Sequence, residues 1–135
     1  MDLEKAMMTS ASGLRAQTAR MRLIAENIAN ANSSSTTPGA DPYRRKVMTF
    51  AQAFDQANGT QTVRVDKIMT DKTPFRQKYD PGNPSADGQG YVKLPNVNSL
   101  IEMVDMKEAQ RTYKANLTVI ETAKHMISRT VDLLR

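Results

Sequence analysis

The groups from which this chain could build chemistry are 14 carboxylates, 19 Lys and Arg side chains, one histidine and no cysteine in 135 residues. Without a thiol there is no disulfide framework, no thiolate metal site and no thiol redox chemistry. His125 follows Lys124 in a stretch of helical pattern, and no carboxylate can be set beside it by spacing, so it is read as a helix-surface residue. One histidine and no cysteine also rule out a zinc site of the usual nitrogen and sulfur type. Asp80 and Asp87 bracket a Pro- and Gly-rich loop that offers oxygen ligands to a cation. Their spacing departs from the EF-hand pattern, and acidic residues in such loops more often serve turns. Gly88-Gln-Gly90 lacks the third glycine and the helix start of a phosphate loop. Arg44-Arg45-Lys46 is the densest basic run, too short for a nucleic-acid patch, and the other basic residues of this chain of net charge +5 are spread along it. The expectation is no catalytic, cofactor-binding or metal-binding residue, no cofactor, and no enzyme.

The elements that would position any site point instead to assembly. Met7, Leu14, Met21 and Ile28 recur every seven residues near the start, as do Met106, Tyr113, Ile120, Ile127 and Leu134 at the end. Such a repeat keeps one apolar stripe toward a partner helix. With Ile24 and Leu117 these are the expected subunit-packing residues. The second row of the first segment reads Leu3, Ser10, Gln17, Ile24, and two polar members weaken an isolated two-stranded coil. Left alone, this helix would expose its stripe, and it is expected to fray in the free chain.

Residues 1–30 therefore read as an N-terminal helix and 96–135 as a C-terminal helix that pairs with it into one core unit. Residues 31–95 between them read as loop and a small β-rich segment. The fold class is α+β, with long terminal helices in a coiled-coil-like pair. Arg44 to Phe50 is extended or ambiguous; Val63 to Ile68, Phe75 to Tyr79 and Tyr91 to Leu94 are the candidate strands, with a turn at Asn58-Gly59. Gly13 inside the first helix points to close helix packing. Ser99 and Glu102 have capping-box spacing, and Arg135 would suit the end of the helix dipole. Tryptophan is absent, mean hydropathy is -0.55 and nine Met supply much of the bulk, so the core is expected to be thin. The first residues lack the basic and apolar regions of a secretory signal, and no stretch has the length of a membrane span. Cytoplasmic residence is the plain reading, unless export uses a signal that is not cleaved.

Residues 10–34, SASGLRAQTARMRLIAENIANANSS, resemble the N-terminal signature of the flagellar axial proteins of the rod and hook. Asp41 to Lys46, Tyr79 to Gly88, Gly90 to Val97, Glu102 to Met106 and Ala109 to Asn116 extend the resemblance over nearly the whole chain, toward the proximal rod subunits of that family. The resemblance implies a structural subunit of the bacterial flagellar basal body. Such a subunit assembles helically with other flagellar rod proteins and copies of itself, and transmits motor torque across the periplasm. It would leave the cytoplasm through the flagellar type III export apparatus without a cleaved signal peptide. In that setting Asn27 and Asn30 would cap the helix exit, and Asn27, Asn30, Tyr43, Arg44, Arg45 and Lys46 are candidate inter-subunit contacts. The alternative is a basic coiled-coil adaptor that binds nucleic acid or a cytoplasmic complex. Phosphate binding should weaken steeply with salt, whereas apolar helix packing should not.

Overall fold

A computed structural model describes residues 2–134, so the expectation for Arg135 lies outside the described residues. The element order is α1 (Leu3–Ala29), β1 (Lys46–Asp55), β2 (Thr60–Thr70), β3 (Arg76–Tyr79), β4 (Tyr91–Leu94) and α2 (Ser99–Leu133). The fold is α+β, with a long helix at each end and two separate two-stranded sheets, β1-β2 and β3-β4, in the middle. Strand β1 is longer and more regular than its sequence suggested. Its KVMTFAQAFD run is short of β-branched residues, and pairing with β2 supplies what propensity does not. Strands β3 and β4 are antiparallel, with Arg76 opposite Leu94 and Tyr79 opposite Tyr91. Those two tyrosine rings meet edge to face at 5.2 Å. Gly90 turns the chain into β4 with φ +86°, and a Cβ there would sit 3.0 Å from the Tyr79 ring.

Contacts divide the chain into two compact units. The first gathers α1 as far as Met21, residues 48–67, and α2 from Lys107 onward. Here the helices run antiparallel: Arg20 pairs with Glu108 at 3.7 Å, and Gly13 faces Asn116. A Cβ on Gly13 would lie 2.7 Å from the Asn116 amide nitrogen, so the glycine permits a close helix approach. The side chains buried in this unit are small: Ser10, Ser12, Ala16, Thr60, Ala109 and Ala123. Helix α1 also holds β2. The Val63 N–H donates to the Ser12 hydroxyl at 3.1 Å, and the Thr9 hydroxyl donates to the Gln61 carbonyl at 3.1 Å.

The second unit takes residues 22–47 and 68–106. Its interior holds larger groups, among them Leu23, Ile24, Val92 and Val97, with Pro95 fully enclosed. Arg76 on β3 donates to the carbonyls of Ala31 and Pro95, tying the sheet to the exit of α1 and to the segment before α2. The start of α2 corrects the capping-box expectation. Asn98 is the cap, its Oδ1 accepting the Leu100 N–H at 3.1 Å, while Glu102 turns inward to other partners.

Along α2 the deepest positions are Glu102, Ala109 and Ala123, with half-buried Asn116 in step at seven-residue spacing. Several threonines close bonds within their own helix. The hydroxyls of Thr18, Thr112, Thr118 and Thr130 donate to the carbonyls of Leu14, Glu108, Lys114 and Met126 at 2.8–3.1 Å.

Candidate assembly interface

The chemistry-bearing residues of the second unit converge on one buried carboxylate. Glu102 is 1% exposed. Its Oε1 accepts the Arg45 Nε–H at 2.5 Å, and its Oε2 accepts from the Asn27 amide at 3.2 Å. Asn27, also 1% exposed, is fully used: its Oδ1 accepts the Tyr43 hydroxyl at 2.7 Å and the Lys46 N–H at 3.0 Å, and its amide donates to the Lys46 carbonyl at 2.8 Å. The Arg45 guanidinium reaches Asp71 at 3.4 Å and Asp105 at 3.9 Å. Asn96 accepts the Arg45 N–H at 2.8 Å and donates to the Asp71 and Thr73 carbonyls. Lys46 closes on Glu26 at 2.5 Å, and Arg44 lies over the Phe75 ring at 4.2 Å. A buried charge is tolerated only when paired and hydrogen-bonded, and Glu102 has both.

The local charges follow from this geometry. Burial, then the negative charges of Glu26 and Glu102, push the Tyr43 phenol up to about 12. Burial alone would lower Arg45, but its hydrogen bond and charge pairing with Glu102, helped by Asp71, raise it. The Thr73 N–H and, more weakly, Arg45 hold Asp71 below the usual carboxylate range. These groups stabilise one another's charge states and fasten α1, the lead into β1, the segment after β2 and α2 within one unit. The arrangement is mechanical: it holds segments in register. Among the described residues no group of three or more His, Asp or Glu is placed to hold a metal ion, and no helix is long and apolar enough to cross a membrane. The Asp87 carboxylate accepts the N–H groups of Gln89 and Tyr91, and so serves its own loop.

The residues expected from sequence fall into two groups. Asn27, Tyr43, Arg44, Arg45 and Lys46 all bond within their own chain. Asn27 does not cap the helix exit, because its amide is taken up inside the second unit. Asn30 bonds back to the Glu26 carbonyl at 2.9 Å, without a left-handed backbone. Of the packing stripe, Ile24 is buried, whereas Met7, Leu14, Met21, Ile28, Met106, Tyr113 and Ile120 are half-buried. Leu117, Ile127 and Leu134 stand exposed. Sequence reasoning missed the inward role of Glu102. A lone acid flanked by Leu100, Ile101, Met103 and Val104 was the available signal.

Residues 89–133 match the family described as flagellar basal body rod FlgEFG protein C-terminal. Over 133 residues the chain is 51% identical to the flagellar basal-body rod protein FlgC of Agrobacterium fabrum, covering 98% of this chain and 96% of the relative. The FlgC of Borreliella burgdorferi is 41% identical, with 100% of this chain and 99% of that relative aligned. That of Salmonella typhimurium is 41% identical over 90% of each chain. The chain belongs to the FlgC family of flagellar basal-body rod proteins.

Proposed function

We propose that this chain is a structural subunit of the proximal rod of the bacterial flagellar basal body. It assembles helically with other rod proteins and with copies of itself, and the assembly transmits motor torque across the periplasm. The observation that carries this reading is similarity to the rod protein FlgC over almost the full length of both chains. The exposed apolar residues of α2 support it, because Leu117, Val119, Met126, Ile127, Val131 and Leu133 on a single helix need a partner to leave water. Delivery through the flagellar type III export apparatus, without a cleaved signal, completes the reading. The small side chains buried in the first unit suit it, since a chain exported unfolded gains order when subunits meet.

The test is to tag the protein in its source bacterium and purify hook–basal bodies, with a deletion strain alongside. Co-purification, and deletion cells that lack completed rods, are expected. Retention of the protein in the soluble cytoplasmic fraction, with intact flagella in the deletion strain, would overturn the assignment.

A further inference from the structure

The tip of the β1-β2 hairpin joins two residues that adjoin nowhere else in the chain. Asn58 and Gly59 lie in the turn between Asp55 and Thr60, both exposed, with Gly59 at φ +60°. Asparagine is a thermolabile residue, because its side-chain amide carbon can be attacked by the backbone nitrogen of the residue that follows. A side chain that shields that nitrogen, or a hydrogen bond that holds its proton, prevents the attack. Gly59 has no side chain, and among the described residues its N–H has no acceptor. The Asn58 amide donates to Asp55 Oδ2 at 2.8 Å, a bond that engages its nitrogen and leaves the carbon unused. The Lys5 amine comes within 3.9 Å of where a Gly59 Cβ would stand, and a cation there favours loss of the Gly59 proton against the opposing charge of Asp55. The other asparagines lack this combination. Asn27 is buried and fully bonded, Asn83 precedes Pro84, which has no N–H, and each of the rest precedes a residue with a side chain.

We propose that Asn58 is a site of spontaneous deamidation, a one-way mark of chain age that loosens β2 from α1. The Gly59 nitrogen gives its proton to solvent and bonds to Asn58 Cγ. The Cγ–Nδ2 bond breaks, and the amide nitrogen leaves as ammonia with a proton taken from water. The cyclic succinimide then takes up one water at either carbonyl, giving aspartate or isoaspartate at position 58. Either product lacks the amide donor that Asp55 accepts, and it adds a negative charge to the turn beside that carboxylate. Isoaspartate also adds a carbon to the backbone ahead of Gly59. Just beyond, the Thr60 hydroxyl, in a residue 4% exposed, donates to the Asn58 carbonyl at 3.1 Å. Helix α1 holds the next residues through Thr9 to the Gln61 carbonyl and Ser12 to the Val63 N–H. A longer turn shifts the start of β2 against those hydroxyls. The modification stands independently of the rod reading.

The purified full-length chain is kept in mildly alkaline buffer and its peptides are followed by mass spectrometry. Conversion confined to the peptide with residue 58 is expected, by the mass of NH exchanged for O. Isoaspartate there should be a substrate for an isoaspartyl methyltransferase, and hydroxylamine should trap the succinimide. Because the turn is already open, the folded chain should convert within about tenfold of its rate in urea. Gly59→Asn has room at the turn, tolerates a positive φ and adds a side chain beside the nitrogen, so it should slow conversion at least tenfold. In the converted fraction, amide exchange of residues 60–67 should rise about tenfold over Asn58→Gln aged alongside. Conversion slower than the stated margin, as ready at Asn32 or Asn98 as at Asn58, unchanged in Gly59→Asn, or without a trappable succinimide overturns the site. Converted chain whose exchange matches that of unaged chain overturns the loosening.

Discussion

The two units bury different kinds of residue. In the second, Leu23, Ile24, Val92 and Val97 enclose apolar bulk, and Asn27 and Glu102 sit among them with their polar atoms satisfied. In the first, alanine, serine and threonine occupy the buried positions, while Phe50, Phe54, Val119, Met126 and Ile127 stay in water. Small buried residues let backbones approach closely but remove little apolar area per residue. The second unit carries the means of its own order. The first carries a close-fitting seam of small residues, and both units leave apolar bulk uncovered, Leu100 and Val104 of the second among it.

That contrast can be broken most directly at Arg45. Arg45→Met leaves the Glu102 carboxylate buried with only Asn27, and should destabilise the chain by about 3–5 kcal/mol. Urea unfolding, together with amide exchange of residues 22–47 and 68–106, reads the loss. Adding Glu102→Leu should recover most of it, since an apolar pair often replaces a buried ion pair at little cost. A loss under about 1 kcal/mol for the single variant would mean the network is ornamental, and the contrast would fail. In the first unit the matching test is Gly13→Leu, which crowds Asn116 and should cost about 1–3 kcal/mol. Asn116→Ala in the same chain should return part of that loss, whereas strictly additive effects would show that the helices are not closely apposed there.

A smaller change sharpens the picture from the stabilising side. The Gln17 side-chain oxygen is buried without a hydrogen-bond partner among the described residues. Gln17→Leu should therefore stabilise the free chain by about 1 kcal/mol, measured by the same unfolding curves. Alkali should separate the units by direction alone. Tyr43 has a folded value near 12 against an ordinary 10, so its contribution is complete below pH 10 and is lost as pH rises toward 12. Unfolding midpoints recorded across that interval should fall for the wild type and flatten for Tyr43→Phe.

Much of the architecture was legible because it rests on strong local signals. A helix over residues 1–30 became Leu3–Ala29, the second helix begins at the expected Ser99, and Tyr91–Leu94 is a strand as read. Strand β1 was not legible, because its residues have modest strand preference and its order comes from the partner strand. The stripe of large residues was visible as a heptad, but the row buried deepest in α2 is Glu102, Ala109 and Ala123, with Asn116 in step. Hydrophobic periodicity weighs bulk, so a row made of small and polar residues is silent to it. For the same reason Asn27 read as a helix cap and Glu102 as half of a capping box. Single-residue polarity points to the surface unless the partners, 19 residues away for Lys46 and 57 away for Arg45, are known.

The threonines of the two helices have a consequence for wetting. A hydroxyl dried without a partner is penalised by about 1–3 kcal/mol. Thr18, Thr112, Thr118 and Thr130 already donate to carbonyls of their own helix. When a neighbour covers such a helix, those hydroxyls surrender water without losing a bond. Side chains that read as polar by composition are thus prepared for dehydration.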